Sequence, residues 1–190
     1  MSGYAPIQLV LYEKEWENPI YKFLSYDVDN LDWHIHYHES FEICCVINGN
    51  INISINNELY KLDAGESVMI FPRQMHSYKT TEYSTIRVIT FMPELIPEFT
   101  NRYPNMIPEN NRIDGILVLK NFFEAKSVFE QKGLLYTVLG MLLKSTRLTE
   151  SSAGENSHML LNVLRYIEKN FRSDCLLQTA ADELSYGYSY

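Results

Sequence analysis

Four side chains in this sequence, His36, His38, Glu42 and His76, have the types and spacing to do chemistry. Three of them fall in the run HIHYHESFE, residues 34–42. Alternate residues of a strand share a face, so His34, His36, His38 and Glu42 point the same way if the strand is unbroken, followed by Cys44 and Val46. Three imidazoles and a carboxylate can ligate zinc, iron, manganese or nickel and leave positions open for water or substrate. Without metal, the carboxylate favours imidazolium on its neighbours, and the group becomes a set of charge and hydrogen-bond partners for a polar ligand. The cluster is read as a pocket first, with a divalent metal as its candidate cofactor and no catalytic residue assigned. Histidines at a barrel mouth also commonly bond only to each other or to water, which is the plain structural alternative.

A rigid frame must hold such groups, and residues 33–92 supply short strands separated by turns. FEICCVI (41–47) is followed by NGN, expected to be a hairpin turn. INISI (51–55) alternates cleanly, and Asn56-Asn57 suits the next tight turn because asparagine tolerates positive φ. ELYKL (58–62), the turn Asp63-Ala64-Gly65, SVMIF (67–71) and TIRVITF (85–91) complete a pattern that favours a sandwich or small barrel.

After Pro93 the pattern changes. Residues 93–114 hold Pro93, Pro97, Pro104 and Pro108 and read as an irregular connection with a short helix. Residues 116–148 turn helical, and Leu134, Leu135, Val138, Leu139, Leu142 and Leu143 form an apolar stripe. That stripe either covers the barrel or meets its copy in a homodimer, the latter being the expectation. TESSAGENS (149–157) reads as a polar linker. From His158 a helix buries Leu160, Leu161, Leu164, Ile167 and Phe171, and LLQTAADEL (176–184) makes a second, short one. Two short helices around a tight turn are a helix-turn-helix signal, with Ala181 small enough for close approach.

Composition narrows the class. The 190 residues carry a net charge of −8, which opposes a broad nucleic-acid-binding face. No run of 18 apolar residues is present and no secretory signal opens the chain. Adjacent Cys44 and Cys45 point to opposite strand faces and would be strained if bonded to each other, so the protein is expected to be cytoplasmic.

From His36 to Gly49 the residues match the first motif of the cupin superfamily, small double-stranded β-helix barrels. In the second motif Gly65 and His76 are correctly separated, while Pro72 is one place late and Gln74 stands where the pattern prefers glycine. This resemblance implies metal ligation by His36, His38, Glu42 and His76, with His34 outside the motif at the rim or surface. Trp33 and Tyr78 would be aromatics near the mouth of the ligand pocket.

The two halves together resemble the arabinose-operon-regulator (AraC) family of bacterial transcription factors. HMLLNVLRYIEKNFRSDCLLQTAADELSYGYSY is similar to the opening of its DNA-binding region. There Ala181 would sit in the first helix, Gly187 where serine usually caps, and Tyr190 in the first turn of the recognition helix; glycine still caps tolerably. The implied fold is mainly β with C-terminal helices: a cupin-like barrel, a helical linker and a truncated helix-turn-helix. Residues 1–112 would be the ligand-sensing domain with an N-terminal arm of about 30 residues. Residues 113–157 would be the dimerisation region and linker, and 158–190 the start of the DNA-binding domain. The implied function is a non-enzymatic, ligand-responsive transcription regulator with a small-molecule effector as partner. Operator DNA would be a partner of the full-length protein but not of these 190 residues, because 158–190 hold three basic against four acidic side chains. The alternative is a metal-dependent cupin enzyme, a dioxygenase or isomerase.

Overall fold

β-Branched and aromatic residues crowd the first half of the chain, and they form strands there. The computed structural model describes residues 11–12, 22–114, 125–151, 163, 166–167, 170 and 176–184. Its strands are β1 (Leu11–Tyr12), β2 (Phe23–Asp29), β3 (Asp32–Tyr37), β4 (Phe41–Ile55), β5 (Glu58–Asp63), β6 (Ser67–Ile70), β7 (His76–Phe91), β8 (Met106–Pro108), β9 (Arg112–Ile113) and β10 (Leu148–Glu150). A 3-10 turn (Pro93–Leu95) and helices α1 (Pro97–Arg102), α2 (Val128–Ser145) and α3 (Leu177–Glu183) accompany them.

β4 and β7 organise the barrel. They pair antiparallel from Phe41 opposite Phe91 to Ile55 opposite His76. The first half of β4 also pairs β6, and the second half of β7 carries β2. The second half of β4 takes β5 instead, and the start of β7 takes β3, to which β1 adds in parallel. Each long strand thus passes from one antiparallel sheet into another. Residues 23–29 lie inside this sheet over seven paired positions, so the expected arm is shorter than about 30 residues.

The NGN run does not turn the chain. β4 continues through it, with register shifts between Val46 and Asn48 and between Gly49 and Ile51. Gly49 takes a φ of +73°, and a Cβ there would lie 2.0 Å from the Tyr83 carbonyl oxygen. The irregularity flips the strand's parity: Cys44 and Val46 join the same buried cluster as Ile51, Ile53 and Ile55. A bulge bends a strand and sharpens its twist, which lets β4 serve both sheets. The Asn56-Asn57 turn forms as expected, both residues taking positive φ (48° and 71°), the requirement of a type I′ hairpin.

The other face of β4 presents Phe41, Ile43 and Cys45 to a second cluster with Phe71, Phe91, Phe99 and the helices. The Phe41 and Phe91 rings stack at 5.2 Å, and Phe71 meets Phe41 edge-on at 5.0 Å. Helix α2 starts at a capping box: the Ser127 hydroxyl accepts from the Glu130 N–H, and the Glu130 carboxylate accepts from the Ser127 N–H. Its Leu134, Leu135, Val138, Leu139 and Leu142 are all buried in this cluster, each 2% exposed or less. The stripe therefore packs on the sheet of its own chain, whereas Leu143 stands outside it and is exposed.

The chain divides into two compact units, Met1–Thr149 and Glu150–Tyr190. In the second, α3 forms where a short helix was expected, with Ala180 buried and Ala181 half-buried. Leu160, Leu161, Leu164, Phe171, Gly187, Tyr190 and most of the expected linker lie outside the described residues. Among the described residues, no helix is long and apolar enough to cross a membrane.

Candidate functional site

Strand pairing brings the histidines together. His36 on β3 pairs directly with His76, the first residue of β7. Their ring centroids are 4.0 Å apart, and the His38 ring lies 4.9 Å from that of His76. His38 follows the end of β3, and after the turn at Glu39-Ser40 the chain re-enters the sheet with Glu42 as the second residue of β4. The strand is therefore broken, yet the even positions stay inward: His36, His38, Ser40 and Glu42 are each 5% exposed or less. His34 is exposed and stacks beside Trp33 at 5.0 Å, so it is a surface residue.

Each ring is oriented by a backbone carbonyl. The Nδ1 atoms of His36, His38 and His76 meet the carbonyls of His34 (2.9 Å), Ser40 (3.0 Å) and Gln74 (2.9 Å). A carbonyl oxygen only accepts, so the Nδ1 atoms of His36 and His76 carry the proton and their neutral rings keep the Nε2 lone pair, while the Nδ1 of His38 also meets the Ser40 hydroxyl at 2.9 Å. One ligand atom from each histidine falls within 4.8 Å of the others. The Nε2 atoms of His38 and His76 are buried with no hydrogen-bond partner. Glu42 lies beside them, its Oε2 3.5 Å from His38 Nε2 and its Oε1 4.0 Å from His76 Nε2. These separations are at or beyond the limit of a formed hydrogen bond, and they are ion pairs only when the imidazole is protonated. Tyr78, two residues along β7, donates its hydroxyl to Glu42 Oε1.

The electrostatics agree with this arrangement. Burial by itself would raise the Glu42 carboxyl, but His38, the positive charge of His76 and His38, and the Tyr78 hydroxyl outweigh it and lower the pKa to about 2. Burial, then the neighbouring His36 and His38, push His76 well below the usual histidine range. Burial and the Glu42 charge raise the Tyr78 hydroxyl well above its ordinary value, so it stays a donor.

The donor set fits a divalent metal. Buried Nε2 atoms without partners, rings held by Nδ1–H bonds and an adjacent ionised carboxylate are what a histidine-rich site presents. His36, His38 and His76 are the nitrogen ligands available, with Glu42 the neighbouring oxygen.

A cleft of about 200 Å³ opens beside this cluster. His36, Glu42 and Tyr78 form its buried polar end, Leu31 and Val88 its apolar wall, and exposed Trp33 and Tyr26 its rim. Of the expected pocket residues, His36, Glu42, Trp33 and Tyr78 line the cleft, whereas His38 and His76 are not part of its wall. Tyr26 was missed because β2 was assigned to the arm. Its signal was the alternation of Leu24, Tyr26 and Val28 in FLSYDVD.

A family model described as the AraC-like ligand binding domain matches residues 24–121. No curated protein sequence matches the chain. Solved structures align with parts of the chain. An RmlC-like cupin from Shewanella frigidimarina is 14% identical over 37% of this chain and 66% of its own, with a TM-score of 0.35. The oxalate decarboxylase of Bacillus subtilis, a protein with Mn(II) centres, is 17% identical over 40% of this chain and 23% of its own (TM-score 0.35). An HTH_3-family transcriptional regulator from Vibrio cholerae is 23% identical over 38% of this chain and 44% of its own (TM-score 0.34).

Proposed function

The chain belongs to the AraC-like ligand-binding domain family, and from that premise we propose that it is the effector-sensing part of a ligand-responsive transcription regulator. The effector is a small molecule held in the cleft between the Trp33 and Tyr26 rim and the polar end at His36, Glu42 and Tyr78. One observation carries this reading: a buried carboxylate and imidazole close the inner end of a cleft whose mouth is aromatic. Such a cleft suits a molecule with one flat or apolar face and a hydrogen-bonding head. Glu42 accepts, so a hydroxyl or an amine on the ligand would meet it directly.

Operator DNA and a second copy of the chain are the further partners of this proposal. The dimer would form through a surface other than the apolar stripe of α2, which is already covered. Effector occupancy regulates only if the effector binds two arrangements of the protein with different affinity. Sensing rather than catalysis is the role proposed for the barrel.

The test is a thermal-shift screen of sugars, amines and other polar metabolites, with and without added Zn2+, on the wild type, His36→Ala and Trp33→Ala. A ligand at 100 times its Kd stabilises the native state by about 2.7 kcal/mol, and both variants should lose that shift. A compound that stabilises all three proteins equally would place the effector elsewhere.

A second reading, a metal-dependent cupin enzyme, is favoured by the partnerless Nε2 atoms of His38 and His76. A metal held by His36, His38, His76 and Glu42 would supply Lewis-acid chemistry at the end of the cleft. Stoichiometric iron, manganese or nickel in protein purified without chelator, together with metal-dependent turnover, would favour it over sensing.

A further inference from the structure

Gln74 occupies a place where the cupin pattern prefers glycine, and its side chain is buried rather than merely tolerated. It sits in the short turn between β6 and His76. Its Oε1 accepts from the Phe71 N–H (2.8 Å) and from the Asn111 side-chain amide (2.8 Å), and its own N–H donates to the Phe71 carbonyl (3.1 Å). The Gln74 carbonyl then receives the Nδ1–H of His76. Asn111, equally buried, is itself fixed to β6. Its side-chain amide donates to the Met69 carbonyl (2.6 Å), and its carbonyl accepts from the Met69 N–H (2.8 Å). The same turn reaches the second histidine, because the Arg73 N–H donates to the His38 carbonyl (2.9 Å). Arg73 does so at a φ of +68°, a conformation that persists in a non-glycine residue where its surroundings over-determine it.

We propose that Gln74 and Asn111 are positioning residues that hold His76 in one ring orientation and one tautomer, with its Nε2 aimed into the three-histidine cluster. A histidine at the first position of a strand lacks the regular ladder on its N-terminal side, so the turn before it must supply the restraint. Here two buried amides supply it, linking β6 to the ring through four short hydrogen bonds. Outer partners of this kind set both the direction and the basicity of a ligating imidazole. For metal binding the proposal rests on the reading of the cluster as a metal site; for ring orientation it does not.

The experiment compares the wild type, Gln74→Gly, Asn111→Ala and the remote core variant Leu139→Ala in the full chain, with two readouts. In Co2+ titrations followed by visible absorption, Gln74→Gly and Asn111→Ala should each weaken binding by about 10–100-fold and alter the band shape. Leu139→Ala, though less stable, should keep wild-type affinity and spectrum. In long-range nitrogen–proton correlation spectra of the metal-free protein, His76 should show a single Nδ1–H tautomer in the wild type and a mixture in the two turn variants. Either turn variant suffices if the other does not fold. Turn variants with an unchanged His76 tautomer overturn the proposal, as does an equal loss of Co2+ binding in Leu139→Ala. Absence of Co2+ binding by the wild type removes the metal reading alone, and the tautomer measurement still decides the positioning role.

Discussion

Leu139 and Leu143 lie one turn apart on α2, and the structure gives them opposite fates. Leu139 is 2% exposed within the cluster between α2 and the sheet, whereas Leu143 is 39% exposed. Truncating Leu139 to alanine removes buried methyl groups and leaves a cavity, a change that costs about 2–5 kcal/mol. For a compact unit of this size each kcal/mol lowers Tm by about 2–4 °C, so Leu139→Ala should melt roughly 6–12 °C lower if the cost is about 3 kcal/mol. Leu143→Ala should stay within about 0.5 kcal/mol of wild type, as exposed positions do. Melting curves followed by circular dichroism at two protein concentrations a hundredfold apart provide the assay, with sedimentation velocity on the same samples. The Leu139 loss should be independent of concentration and leave the oligomeric state unchanged. Equal losses at both leucines, or a loss that deepens on dilution as a dimer dissociates, would refute the assignment of the stripe to the chain's own sheet.

Three further outcomes are expected. Cys44 and Cys45 are buried; burial raises the thiol of Cys44 well above its ordinary value and that of Cys45 to about 11. Both therefore stay protonated at pH 8, and in a Cys175→Ser background an aromatic disulfide reagent should label neither until denaturant is added; rapid native labelling would contradict their burial. Gly49→Ala should destabilise the protein by more than about 3 kcal/mol, because a Cβ collides with the Tyr83 carbonyl and an L-residue is forced to positive φ, measured by urea unfolding. The 190-residue chain, at net charge −8, should not retard operator-like duplex DNA at physiological salt; a discrete shifted band would show that α3 and its neighbours already suffice.

Much of the mainly β, cupin-like fold is readable in the residues themselves. Ile51, Ile53 and Ile55 announce a half-buried strand, and Asn56-Asn57 announces its turn, because both signals are local. The NGN run misleads for the same reason. Locally it is a good hairpin turn, and only the pairing of Asn48 and Gly49 with distant Thr85 and Ser84 makes it a bulge within a longer strand. The stripe on α2 is equally clear as a pattern, but a pattern does not say which surface covers it. Within the site, the inward parity of His36, His38 and Glu42 is the one strand alternation suggests, kept here across a break between two strands, and His76 joins them as the motif resemblance implies. Tyr26, Leu31 and Val88 do not emerge, since their place in the cleft depends on β2 joining the edge of β7. Asn111 carries no motif at all. Its role comes from hydrogen bonds to Met69 and Gln74, more than 35 positions away in sequence.

The most direct measurement of the whole account is calorimetric titration of chelator-treated protein with Zn2+, repeated on His34→Ala, His36→Ala, His38→Ala and His76→Ala. If three inward imidazoles form one site, the wild type binds a single equivalent. His34→Ala should leave that binding intact, while each of the other three variants weakens it by more than about 100-fold, beyond the cost of losing an outer partner. Zinc binding that survives all three inward substitutions, or that depends on His34, would contradict it.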